Sequence, residues 1–354
     1  MTILQGKIAP FKETGRIIGQ IPIYEDKSTN SSQSILHIFF ANHNANSSRI
    51  FRLHIVFVYR SEHFLWIGAT KDDQQAGNFS SLEPAALKSF SANHEQIFDS
   101  FSVQAVNGLY FADDIEHLLS QLPTSRYLHC PQQRNKQWMA SNNHLKENDL
   151  LSSFYLESIV NMKRLMRQQQ MEFFMISGTL LGICFHYFCP PVLTTVCHSG
   201  WHRACHATPY TDDADFGSWG KYLIDEPPRE NWLRGNISNA GFRLFKSFGH
   251  LEDSLEYTFQ FKRLYLNSVW FKTDLFFTYL DGATSVIRMP LHSPEAGLIG
   301  YLNFTRFDLC SGVLFGYKLL TPCTPEKTIT EGKKGANCLN RNSNVSAVFS
   351  IRIR

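Results

Sequence analysis

Three features are missing from this 354-residue chain. No stretch reaches the ~18 uninterrupted apolar residues that a membrane-spanning helix needs. The nearest candidate, Ile183 to Val196, is broken by His186, Pro190 and Pro191. No charge of one sign dominates: 34 Lys and Arg face 31 Asp and Glu, a formal net charge of +3. That balance excludes a strongly basic nucleic-acid reader, and no nucleic-acid partner is expected. The opening residues, MTILQGKIAPFKE, also lack a basic start followed by an apolar run. The expectation is either a cytosolic protein or an N-terminus that is not the full one. Core-forming residues, by contrast, are plentiful. Apolar residues make up 43% of the chain and charged residues only 18%, which carries no signature of disorder. At roughly 150 residues per domain, the length predicts about two domains.

The compartment is left open. Asn30, Asn46, Asn78, Asn236, Asn303 and Asn344 fit the Asn-x-Ser/Thr acceptor pattern of a secretory lumen, although such triplets also arise by chance. The eight cysteines do not decide it, because a chain of this length does not need disulfides and their pairing cannot be read from spacing.

The chain divides by composition. Residues 1–34 read as an irregular leader. Residues 35–129 read as an N-terminal α/β domain, with β-type runs at Ile35–Phe40, Leu53–Val58 and Phe64–Ile67. Its helices are expected at Pro84–Phe90 and at Asp113–Leu122, the latter capped by Asp113 and ended by Pro123. Residues 130–147 are polar and read as a linker. From Asp149 to Gln170, apolar residues recur at spacings of three and four, which predicts a long amphipathic helix. A buried strand at Phe173–Ile176 follows. It runs into Ser177-Gly178-Thr179 and then a helix from Leu180, a geometry that can aim backbone N–H groups at an anion or serve as plain turn chemistry.

The sharpest local feature is PYTDDADFG at 209–217. Asp213 and Asp215 are two apart, so in a strand their carboxylates stand on one face. Their repulsion calls for a divalent cation of the Mg²⁺ or Mn²⁺ kind, which prefers hard oxygen ligands. An acidic turn is the plain alternative. Asp274 sits inside the apolar run SVWFKTDLFFTY and needs a strong partner. Either a metal shared with Asp213 and Asp215 or an ion pair with Lys272 satisfies it.

Together these pieces resemble the fukutin and LicD-type phosphotransferase family, in its fukutin-like branch. The resemblance rests on FFMISGTLLG (173–182), WHRACHATPYTDDADFG (201–217), FKTDLFF (271–277), AGFRLFKSFGHLEDSLEYTFQF (240–261) and LCSGVLFGYKLLTPCTPEKTI (309–329). It covers most of residues 35–335. It implies an α+β protein whose catalytic domain, 148–335, has a nucleotidyltransferase-like mixed sheet with flanking helices, preceded by the smaller α/β domain. It implies transfer of a phospho-alditol or similar group from a CDP-activated donor to a glycan acceptor on a glycoprotein. The implied setting is the Golgi or secretory lumen, alongside other Golgi enzymes, by way of an N-terminal membrane anchor that this sequence lacks. Carried over by position, Asp213, Asp215 and Asp274 hold Mg²⁺ or Mn²⁺ and are catalytic, with Asp274 a candidate base. Gly178, Thr179 and Arg203 bind the donor phosphates.

The chain departs from the family pattern in two places. Residues 183–200 interrupt it beside the presumed phosphate turn. They are expected to be an insertion, read as a retained intron or gene-prediction error, with a real lid loop as the alternative. This insertion brings Cys184, His186, Cys189, Cys197 and His198 close in sequence to His202, Cys205 and His206, but in no spacing that marks a zinc site. Residues 336–354 lack the family's aromatic pattern and read as a divergent tail. These departures leave two other functions open: a non-catalytic partner or inactive paralogue of a Golgi enzyme, and a glycosyltransferase using Asp213-Ala214-Asp215 on a nucleotide sugar.

Overall fold

The structure is a computed structural model. It describes residues 16–22, 35–41, 52–56, 58–61, 63–69, 94–106, 109–131, 149–181, 184–189, 192–197, 201, 205, 213–266, 269–293, 298–334, 337–340 and 346–348. The chain forms two compact units, one of residues 1–128 with 316–318 and one of residues 129–315 with 319–354.

The first unit is built from short strands. Strands β1 (Arg16–Pro22), β2 (Ile35–Ala41) and β3 (Arg52–Val56) form an antiparallel sheet. The stretch expected to be irregular therefore contributes β1, paired along most of β2. A second sheet joins β4 (Tyr59–Arg60), β5 (Phe64–Ile67) and β6 (Gln96–Asp99). Ile67, Ile97 and Phe98 are buried there. A hairpin of β7 (Val103–Val106) and β8 (Leu109–Ala112) precedes helix α1 (Ile115–Ser120). Asp114, rather than Asp113, caps that helix by accepting from His117 N–H. Pro123 lies within a 3-10 turn after it. The helix expected at Pro84–Phe90 lies outside the described residues.

The second unit carries the large sheet. Helix α2 (Asp149–Gln168) buries Tyr155, Ile159, Met162, Leu165 and Met166, the stripe its periodicity predicts. Strand β9 (Phe174–Met175) leads through Ser177, at φ 47°, into helix α3 (Ser177–Leu181). Strand β10 (Cys184–Cys189) pairs antiparallel with β11 (Val192–Cys197) in a two-stranded sheet. Strand β12 (Asp213–Trp219) and helices α4 (Lys221–Asp225) and α5 (Pro228–Asn236) follow. A meander comes next: β13 (Phe242–Phe248), β14 (Glu256–Leu266), β15 (Val269–Asp281), β16 (Val286–Ser293) and β17 (Leu298–Thr305). Strands β18 (Leu309–Leu314) and β19 (Tyr317–Pro322) then lead into helix α6 (Pro325–Lys334).

The tail adds β20 (Asn337–Asn340) and β21 (Ser346–Val348), with β20 pairing onto β17. The resulting sheet has eleven strands and is mixed: β12 runs parallel to β15, and the meander is antiparallel. The molecule is thus α+β.

Two contacts fix the strands around β12. A Cβ at Gly217 would lie 2.4 Å from the Phe174 ring, so only glycine lets β9 and β12 pack this closely. On the same face, Phe174, Ile176, Phe276, Ile287, Met289, Leu302 and Phe304 form a continuous apolar core. Among the described residues, the disulfides Cys130–Cys205 and Cys310–Cys323 close the unit covalently. Cys205 is therefore committed to a bridge and is not available as a metal ligand. Among the described residues no helix is long and apolar enough to cross a membrane. Of the acceptor-type asparagines, Asn236 ends α5 with its amide donating to Trp232 O, and Asn303 lies on β17 opposite Arg288. The other four fall outside the described residues.

Candidate metal centre

The parallel pairing of β12 with β15 builds the centre. It sets Asp215 directly opposite Asp274 and Asp213 opposite Lys272. Directly opposed residues share a face, and so do residues two apart on one strand. All three carboxylates therefore project to one side. One oxygen from each lies within 4.8 Å of the others.

The surroundings favour a bound cation. Burial, then the charges of Asp215 and Glu256, hold the Asp274 carboxyl well above the usual carboxylate range, while a hydrogen bond from Thr258 works against this. Asp274 Oδ1 is buried and takes no hydrogen bond among the described residues. No ion pair joins it to Lys272 among the described residues, so the Lys–Asp alternative does not account for this carboxylate. A buried carboxylate oxygen without a donor costs free energy, and a hard divalent ion would satisfy it. The donor set is all oxygen, which fits Mg²⁺ or Mn²⁺ better than a soft metal.

Thr179 holds the centre from beneath. Its Oγ1 accepts the backbone N–H of Asp215 at 2.8 Å and lies 3.4 Å from the Tyr155 hydroxyl. Helices α2 and α3 thus reach the acid strand through one hydroxyl. Thr179→Val should leave a buried N–H unmatched and lower stability by about 1–3 kcal/mol. Thr179→Ser should retain most of it, and denaturant midpoints of the two variants compare them directly. Gly178 lies in the five-residue helix α3. Arg203 lies outside the described residues.

Two members of the centre escape a motif-based reading. Glu256 is 7% exposed and lies on the same face. Burial and the Asp215 charge push its pKa up to about 8, against a hydrogen bond with His292. His292 Nδ1 lies 2.6 Å from Glu256 Oε2, and its ring stacks on Phe248. A signal for Glu256 does exist. Glu256, Thr258 and Gln260 alternate with Tyr257, Phe259 and Phe261, and all six are buried. A polar stripe inside a buried strand marks a site, because buried polar groups are costly unless partnered.

Ribitol-5-phosphate transferase FKTN of Macaca fascicularis is 25% identical over 277 residues, covering 76% of this chain and 52% of the relative. The chain is distantly homologous to the fukutin ribitol-5-phosphate transferases. The Homo sapiens and Mus musculus proteins of the same name match at the same 25% identity over 277 residues. The chain spans about half the length of these fukutin relatives. No protein-family profile matches it. No solved structure matches it.

Proposed function

We propose that this fukutin homologue transfers a phospho-alditol, with ribitol phosphate the group suggested by the names of its relatives, from a CDP-activated donor to a glycan acceptor. The convergence of Asp213, Asp215 and Asp274 from two strands carries this reading. These residues would hold Mg²⁺ or Mn²⁺, which when bound would neutralise charge developing on the phosphoryl oxygens. The acceptor hydroxyl forms a new bond to phosphorus. The bond from phosphorus to the CMP oxygen breaks, and its electron pair leaves with CMP. The hydroxyl proton passes to a carboxylate of the site. Asp274, on the strand beside Asp215, is the candidate. Thr179 keeps the Asp215 backbone in place while this happens.

The two disulfides support an oxidising compartment, in keeping with a Golgi or secretory setting. Strands β10 and β11 form their own two-stranded sheet and take no place in the large one. That favours an insertion compatible with the catalytic fold. Calorimetry provides the test. The chain should bind Mn²⁺ alone and bind CDP only when Mn²⁺ is present. CDP binding that ignores the metal, or no binding of either, overturns the reading.

A further inference from the structure

The pairings of four neighbouring strands set three rows of side chains across the acid-bearing face. The first runs Arg243, Gln260, Lys272, Asp213. The second runs Lys246, Thr258, Asp274, Asp215. The third runs Phe248, Glu256, Phe276, Gly217. The face is therefore polarised. Along the first two rows acids stand at the β12 end, cations at the β13 end, and β15 carries one of each, while the third row adds Glu256 on β14.

The first row is organised toward the acids. The Arg243 guanidinium donates through Nη2 to Gln260 Oε1, which draws it inward from the outer strand. Gln260 is itself 5% exposed, so this anchor is fixed. Lys272 is half-buried on the strand next to Asp213 and makes no ion pair with Asp274 among the described residues. On the second row, exposed Lys246 lies over the rings of Phe245 and Phe248, at 5.2 and 5.9 Å from their centres.

We propose that Lys272 and Arg243, bridged by Gln260, form a phosphate-binding strip that holds the pyrophosphate of the nucleotide donor beside the three acids. This rests on the donor reading given above. Strands lie about 4.8 Å apart, so Lys272 stands one spacing from Asp213 and Gln260 two. The strip thus covers roughly 5–10 Å from the acids. A diphosphate with one end at the acids lies along it. The side-chain chemistry matches: a lysine is a compact point charge for phosphate, and an arginine offers a planar fork to two of its oxygens. The strip also counters the repulsion that three carboxylates exert on an approaching polyanion. It moves the phosphate contacts away from Thr179, whose hydroxyl already serves the Asp215 backbone.

The test uses the full chain, calorimetry and three probes: Mn²⁺ alone, Mn²⁺ with inorganic pyrophosphate, and Mn²⁺ with CDP. Lys272→Met and Arg243→Gln should bind Mn²⁺ alone at least as tightly as the parent chain. Each should bind pyrophosphate and CDP about tenfold more weakly or worse. Lys272→Arg should recover most of the loss. Arg243 is exposed, so Arg243→Gln decides the matter if Lys272→Met fails to fold. Strip-dependent binding of pyrophosphate without any binding of CDP sustains the strip and overturns the cytidine donor. CDP bound equally well by the parent and both variants overturns the strip and leaves the donor reading standing. Binding of neither probe overturns both.

Discussion

Asp215→Asn is expected to abolish metal-dependent transfer while the chain remains folded. The side chain is 2% exposed, lies opposite Asp274, and belongs with Asp213 and Asp274 to a group of acids that could hold one cation. Removing one charged ligand should lower the rate by roughly 10³-fold or more, as happens when a preorganised electrostatic contact is lost from a transition state. Asp213→Asn and Asp274→Asn should behave alike. A second readout, Mn²⁺ affinity, needs no donor and should drop by about tenfold or more in each variant. Asparagine is nearly isosteric with aspartate and uncharged, so folding should survive the exchange. Asp274→Asn should even stabilise the metal-free chain at pH 8, because burial and the neighbouring charges oppose ionisation of this carboxyl. Parent-like transfer and Mn²⁺ affinity in all three variants would place the chemistry elsewhere.

Metal-free protein should lose stability as pH rises from about 5 to 8, against the trend of most globular domains. Glu256 faces Asp215, Asp274 and His292, and its pKa stands near 8 in the fold against 4.5 in an open chain. Asp274 is raised in the same direction. Between the unfolded and folded values, the native state binds more protons than the unfolded one. The stabilisation is complete below the unfolded pKa and is lost as pH climbs through the folded one. Each pKa unit corresponds to about 1.4 kcal/mol, so the loss should reach a few kcal/mol, or on the order of 10 °C in Tm. Mg²⁺ or Mn²⁺ should reverse it at pH 8, by about 2.7 kcal/mol at a hundredfold excess over Kd. Thermal melts at several pH values, with and without metal, measure both effects. A Tm that is flat across this range and indifferent to metal contradicts the electrostatic account.

The sequence showed some of this fold and concealed other parts, for physical reasons. Helix α2 was visible because apolar residues at spacings of three and four leave no other reading. The spacing of Asp213 and Asp215 placed both on one face, since strand alternation is a local property. The isolated acid at 274 announced itself by its apolar surroundings. How β12 pairs with β15 is not local, and no spacing gives the register that sets Asp215 opposite Asp274. Glu256 and His292 went unseen for the same reason: 36 residues separate them, and strand order alone unites them. Strand β1 and the two tail strands were missed because each is short and is defined by its pairing. Thr179 lay in a recognisable motif, but the target of its hydroxyl depends on where α3 meets β12.

The most direct measurement is a crystal of the chain grown with Mn²⁺, with anomalous scattering recorded for the ion. The account predicts a peak bonded to carboxylate oxygens of Asp213, Asp215 and Asp274 together. Ordered carboxylates with no ion between them at saturating Mn²⁺, or an ion bound at another place alone, would contradict it.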